Sequence, residues 1–174
     1  LSGGTPQQLT AFALDIGSYR ISPDSKRIAF STATFAECKA DLACTQKRLD
    51  DTSAKKSTGM VYDQLFVRHW DTWADGRRNR LFVADLPAAK AKPVAVAVSL
   101  TDSIDGDAPS KPFGDASEYT WTPDGKSLVA SIRVMGKAEA WSTNFDLFRL
   151  HADGSGAPTN LTAANPAWDT TPVF

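Results

Sequence analysis

This chain of 174 residues has little of what most function classes need. Its two cysteines, two histidines and two methionines leave few donors for a metal or redox centre, and its formal net charge is only −1. Clustered positive charge, the footprint of nucleic-acid or anionic-membrane binding, is missing. Purely apolar runs last only a few residues, against the roughly 20 needed to cross a bilayer, so no membrane span is expected. No Gly-x-Ser-x-Gly run occurs, and the serine of Gly154-Ser155-Gly156 falls in a turn between strands, so no catalytic nucleophile is expected in the chain. No cofactor and no metal ion is expected either.

What the chain does have is repetition. Tyr19-Arg20-Ile21-Ser22-Pro23-Asp24-Ser25-Lys26-Arg27-Ile28-Ala29-Phe30 returns as Tyr119-Thr120-Trp121-Thr122-Pro123-Asp124-Gly125-Lys126-Ser127-Leu128-Val129-Ala130. Each copy reads as a strand, a Pro-Asp turn and a second strand. Proline presets the first turn angle, and Asp followed by a small residue tolerates the reversal. Ile28 and Phe30, like Leu128, Ala130 and Ile132, alternate with the period of a strand. A second phrase keeps step with the first. Leu1-Ser2-Gly3-Gly4-Thr5-Pro6-Gln7-Gln8-Leu9-Thr10 matches residues 150–162, with a looser copy over residues 86–101.

Four antiparallel strands per unit, restarted after each Leu-Thr, describe a β-propeller blade. The expected fold is therefore all-β, a propeller segment of about two and a half four-stranded blades. Residues 1–10 would close one blade, 19–101 form a blade with an insertion at about 33–67, 119–162 form a compact blade, and 172–174 open the next. All of 1–174 would then be part of a single propeller domain of a longer protein.

The insertion is the main departure from the repeat. It carries Cys38 and Cys44, a charged stretch at 47–56, and Leu42 and Leu49 at a spacing that suits one helix face. A local disulfide closing a short helix is the preferred reading; two free cytosolic thiols remain open, and a metal site lacks a second donor pair. A disulfide would indicate an oxidising compartment. A long insertion on a compact scaffold is either a functional loop or a tolerated surface loop.

The insertion leads into Leu65-Phe66-Val67-Arg68-His69-Trp70-Asp71-Thr72-Trp73, the densest group of chemistry-capable side chains. Arg68 has a fork of donors for a carboxylate or carbonyl. His69 and Asp71 would share a face of an extended segment, and Trp70 and Trp73 offer apolar walls. These residues either pack the blade or contact a ligand or a second domain. Asp102-Ser103-Ile104-Asp105-Gly106-Asp107 lacks the ligand alternation of an EF-hand and reads better as an acidic loop between blades.

Together with Asp105-Gly106-Asp107-Ala108-Pro109-Ser110-Lys111-Pro112-Phe113-Gly114, the Pro-Asp turns, the Gly-Gly-Thr-Pro…Leu-Thr ending and the Arg68-His69-Trp70-Asp71-Thr72-Trp73 run give the chain its family likeness. It resembles the N-terminal propeller of the prolyl oligopeptidase family of serine peptidases, nearest to the dipeptidyl peptidase 5 and acylaminoacyl peptidase branch. The Pro-Asp-Gly turns also occur in TolB-type propellers; the His-Trp-Asp-Thr-Trp run and the Pro-Phe-Gly loop are the more specific evidence. The resemblance implies an exopeptidase cleaving near peptide N-termini, whose propeller gates access to an α/β-hydrolase domain carrying a Ser-Asp-His triad; the Cys38–Cys44 disulfide reading would make it periplasmic or secreted. The partners implied are that domain and a peptide substrate, and the segment alone would be inactive. The alternative is a non-enzymatic TolB-like propeller that binds other proteins.

Overall fold

The computed structural model describes residues 5–63, 65 and 67–174. The Leu1-Ser2-Gly3-Gly4 part of the second phrase, and Phe66 of the aromatic run, lie outside the described residues. Most of the regular structure is antiparallel sheet. One sheet contains β1 (Ser18–Ile21), β2 (Arg27–Phe35), β5 (Arg77–Asp85) and β6 (Val98–Ser99), hydrogen-bonded in that order. The other contains β7 (Tyr119–Trp121), β8 (Ser127–Ile132), β9 (Asp146–His151) and β10 (Thr159–Asn160), with strands that are adjacent in sequence adjacent in space. A two-stranded ribbon, β3 (Arg68–His69) and β4 (Thr72–Trp73), lies in the excursion between β2 and β5.

The repeated phrase folds twice into the same turn. Asp24 accepts from the Ser22 hydroxyl at 2.6 Å and the Lys26 amide at 3.1 Å; Asp124 accepts from Thr122 at 2.6 Å and Lys126 at 2.9 Å. Both carboxyls are held below the usual range, chiefly by these hydroxyl bonds. The turn needs a positive φ at its last position. Gly125 meets that at 67° without cost, whereas Ser25 adopts 59° despite its Cβ.

Alternation along β2 sends side chains to two different cores. Ala29 joins Leu81 and Val83 against Tyr119, Trp121, Leu128, Ala130 and Ile132, so an apolar layer lies between the two sheets. Ile28 and Phe30 turn the other way, with Phe82 and Ala84, and are covered by Phe12, Ile16 and Leu42. Phe30 stacks on Phe12 at 4.7 Å and on Phe82 at 5.5 Å. Polar ties reinforce the inter-sheet layer. The Tyr119 hydroxyl bonds Ser18 Oγ at 3.0 Å, and Trp121 Nε1 donates to the Arg20 carbonyl at 3.1 Å. Burial pushes the Tyr119 phenol up to about 12.

The cysteines are joined, Cys38 to Cys44, at the entry to helix α1 (Leu42–Ser53). Asp41 caps that helix, accepting from the Cys44 amide at 2.9 Å. Leu42, Thr45 and Leu49 form its inner face, and the Thr45 hydroxyl accepts from the Phe35 amide at 3.3 Å. Arg48 lies 4.1 Å above the Phe35 ring and pairs with Glu37. The helix is thus tied to the last residue of β2. β2 runs on to Phe35 and β5 begins at Arg77, so the excursion occupies 36–76 and includes the β3–β4 ribbon.

Two outcomes test this packing. Leu81→Ala, at a fully buried site between the sheets, should cost about 2–5 kcal/mol in urea unfolding, whereas the exposed Val61→Ala should stay within about 0.5 kcal/mol. Replacing both cysteines by serine should cost less than the ~3 kcal/mol typical of a 15-residue loop, because the bond closes a shorter one.

Candidate functional site

The strand registers bring three excursions to one end of the two sheets. Phe35 pairs with Arg77 where the 36–76 excursion leaves and returns, and Ile132 pairs with Asp146 around residues 133–145. The connection from β6 to β7 starts beside Leu81 and passes Asn79, which accepts from the Ala108 amide at 3.0 Å.

The floor of this end is ionic. Arg78 donates to Asp107 at 2.9 Å, to Glu139 at 2.9 and 2.7 Å, and to Asp105 at 3.3 Å. Arg133 approaches Glu139 at 3.6 Å. One guanidinium therefore joins the first sheet, the connecting loop and the excursion of the second sheet. Burial alone would raise the Glu139 carboxyl, but the Arg78 hydrogen bonds, with the Arg78 and Arg133 charges, hold it below its ordinary range. Arg78 is correspondingly pushed up, first by its hydrogen bonds to Glu139. Arg80 donates to the Thr101 and Ile104 carbonyls, and burial lowers its affinity for the proton.

A loop stands on this floor. Asn79 donates from its backbone to Asp107 at 2.7 Å and from its side chain to the Pro109 carbonyl at 3.0 Å. Both oxygens of Glu118 hold Ser110, each at 2.7 Å. Lys111 Nζ donates to the Arg77 carbonyl at 2.5 Å, and burial lowers its pKa. The peptide bonds before Pro109 and Pro112 are cis. Gly114 folds back so closely that a Cβ there would press on the Ser110 backbone. Phe113, between these anchors, is left exposed.

The aromatic run meets that loop. Its six residues 68–73 are not one extended face, as expected from the sequence, but a hairpin that reverses at Trp70 (φ 53°) and Asp71. His69 is on one limb, paired with Thr72, and Asp71 is in the reversal; the two do not share an extended face. The Phe113 ring receives edge contacts from His69 at 5.8 Å and Trp70 at 5.6 Å. Tyr62 stacks with Trp73 at 6.1 Å, and the Arg68 guanidinium lies 5.4 Å from the Trp73 ring centre. Trp70 and Trp73 are exposed among the described residues. Beside the loop, Asp15, Ser18, Ser31, Arg77, Asn79 and Gly114 help line an open cleft of about 360 Å³.

The ionic floor was missed by sequence reasoning. A signal existed: three arginines in Arg77-Arg78-Asn79-Arg80 precede a buried apolar strand, and cations there need acids. The Asp102–Asp107 cluster supplies two of them. Glu139 had no local signal. Among the described residues, no group of three or more His, Cys, Asp or Glu side chains is placed to hold a metal ion. No helix among them is long and apolar enough to cross a membrane.

No family model matches the chain. It is 31% identical over its whole length to a dipeptidyl-peptidase 5 of Porphyromonas endodontalis, of which it spans 24%. A dipeptidyl-peptidase 5 of Porphyromonas gingivalis is 27% identical over 91% of the chain, 22% of that protein. A dipeptidyl-peptidase 4 of Giardia intestinalis is 27% identical over 80% of the chain, 20% of that protein. The chain is thus related to dipeptidyl-peptidases and spans about a quarter of the length of the curated relatives it matches.

Removing Glu139 tests the floor. Glu139→Ala should cost about 3 kcal/mol, the low end for a broken buried pair, since Arg78 keeps Asp107. Lys47→Ala, in an exposed pair with Asp51, should cost at most about 1 kcal/mol. Because the folded carboxyl of Glu139 sits below its ordinary 4.5, its contribution is present above that value and lost as pH falls through the folded one. Urea midpoints should therefore drop more steeply below pH 4.5 in the parent protein than in Glu139→Gln.

Proposed function

We propose that the two sheets are neighbouring blades of the N-terminal propeller of a serine exopeptidase of dipeptidyl or acylaminoacyl peptidase type. The end carrying the hairpin and the Phe113 loop would face an α/β-hydrolase domain and limit which peptides reach its active site. One observation carries the reading: the two motifs most specific to the family likeness, far apart in sequence, meet in space through Phe113, His69 and Trp70. The similarity to dipeptidyl-peptidases along the whole chain supports it. So does the apolar layer between the sheets, which is how stacked blades bury their faces.

Arg68, His69, Trp70 and Asp71 are the proposed contacts to substrate or to the second domain. The Cys38–Cys44 bond supports a periplasmic or secreted location. A TolB-like binding scaffold is the competing reading.

Hydrolysis decides between them. The complete protein should release dipeptides or blocked residues from peptide N-termini, and its inactivity on both substrate types would favour the scaffold. Purified 1–174 should release none, since a covalent acyl mechanism needs a nucleophile and its base. In the complete protein, Arg68→Ala should lower kcat/KM by about tenfold, some 1.4 kcal/mol, with little change in Tm. A large loss of Tm with normal kinetics would assign Arg68 to the scaffold instead.

A further inference from the structure

The excursion between β2 and β5 is anchored at both ends and bare over residues 56–61. Helix α1 is fixed to β2 through the Thr45 hydroxyl, through Arg48 over the Phe35 ring and through the Cys38–Cys44 bond. The β3–β4 ribbon is fixed separately, by its lead into β5 and by the ring contacts of His69 and Trp70 with Phe113. Between these two bodies every residue from 50 to 61 is exposed, and 57–63 contain no helix or strand. Among the described residues, one hydrogen bond reaches 56–61, from the neighbouring Tyr62 hydroxyl to the Met60 sulfur at 3.3 Å. A segment held so little leaves the fold at almost no cost, and such segments are where proteases nick a native protein.

Lys55 and Lys56 stand side by side at the start of this segment, both exposed. A basic side chain before the scissile bond is what a protease with an acidic specificity pocket takes. Lys90 and Lys92 are also exposed, but their loop is tied to the N-terminal segment. The Lys90 amide donates to Gln7 Oε1 at 3.1 Å, Gln7 Nε2 to the Ala91 carbonyl at 3.3 Å, and the Val94 amide to the Leu9 carbonyl at 2.9 Å. Hydrolysis after Lys55 or Lys56 adds one water across one peptide bond, leaving a carboxylate on the lysine and an amino group on the next residue. β2 and β5 lie on opposite sides of that cut and pair from Arg27 with Asp85 to Phe35 with Arg77, so the two pieces remain one fold.

We propose that Lys55-Lys56 is a processing site for a trypsin-like protease, and that the cut frees the hairpin from helix α1 while leaving both sheets intact. After it, α1 stays with β2, and Tyr62, stacked on Trp73, stays with the hairpin. The excursion is then no longer a closed loop, and the hairpin is held from β5 and the Phe113 loop. The site does not depend on the peptidase reading.

Brief digestion of the complete, folded protein with trypsin tests it. Mass spectrometry should find the first new chain ends at Lys55 or Lys56. Because Cys38 and Cys44 both precede the cut, the fragments should separate on a denaturing gel without reductant, yet elute together from a native column. Lys55→Gln combined with Lys56→Gln should slow cutting about tenfold or more with Tm unchanged. Amide exchange over residues 67–74 should quicken after the cut and stay slow in β2 and β5. A first cut at Lys90, Lys92 or elsewhere, resistance at Lys55 and Lys56, or unslowed cutting of the double variant would overturn the site. Fragments that part on the native column, or hairpin exchange unchanged by the cut, would overturn the uncoupling of hairpin from helix.

Discussion

The guanidinium of Arg78 is the constraint on which the hairpin end of the two sheets depends. It leaves the first residues of β5, in one sheet, and reaches Asp105 and Asp107 in the connecting loop and Glu139 in the excursion of the other sheet. Apolar layers between sheets are non-directional and allow a pair of sheets to slide or tilt. A fork of donors meeting three carboxylates allows far fewer arrangements. Its desolvation cost makes it a poor source of stability. Its effect is positional: the Phe113 loop stands where it does because Asp107 and Asn79 are held at its base.

The architecture was largely legible because it is written locally. Each Pro-Asp phrase carries its own turn chemistry, a hydroxyl and an amide closing on one carboxylate, and the structure repeats that chemistry at Asp24 and Asp124. Strand alternation at Ile28, Ala29 and Phe30 was equally plain. What it hides is that the central strands of the first sheet, β2 and β5, are buried on both faces, since the covers, Phe12 and Ile16 on one side and the second sheet on the other, come from distant sequence. The helix in the excursion followed from Leu42 and Leu49, and its cap, Asp41, stands where a helix start needs an acceptor.

The site was legible only in pieces. Arg68, Trp70 and Trp73 drew notice as residue types, and the Pro-Phe-Gly loop as a motif, but their contact is a tertiary fact. Sequence spacing alone puts His69 and Asp71 on one face of an extended segment. The backbone instead reverses at Trp70, a residue that rarely takes positive φ. The reversal goes with the pairing of Arg68 with Trp73 and of His69 with Thr72 on its two sides. The ionic floor escaped for a related reason. Charge pairing across 61 residues, as between Arg78 and Glu139, leaves no periodicity to read.

Rigidity and exposure divide this end of the protein in a consistent way. Arg80, Asp107 and Glu139 are buried and fully engaged, whereas Trp70, Phe113 and Trp73 are exposed and held mostly by ring contacts with one another and their neighbours. Exposed apolar area gains from being covered, so these rings are the part of this end with burial still to gain. The helix α1 fits the same division. Its inner face is anchored to Phe35 and the Phe30 core, and its disulfide holds the first turn, so the excursion that carries the hairpin leaves the sheet from a fixed origin.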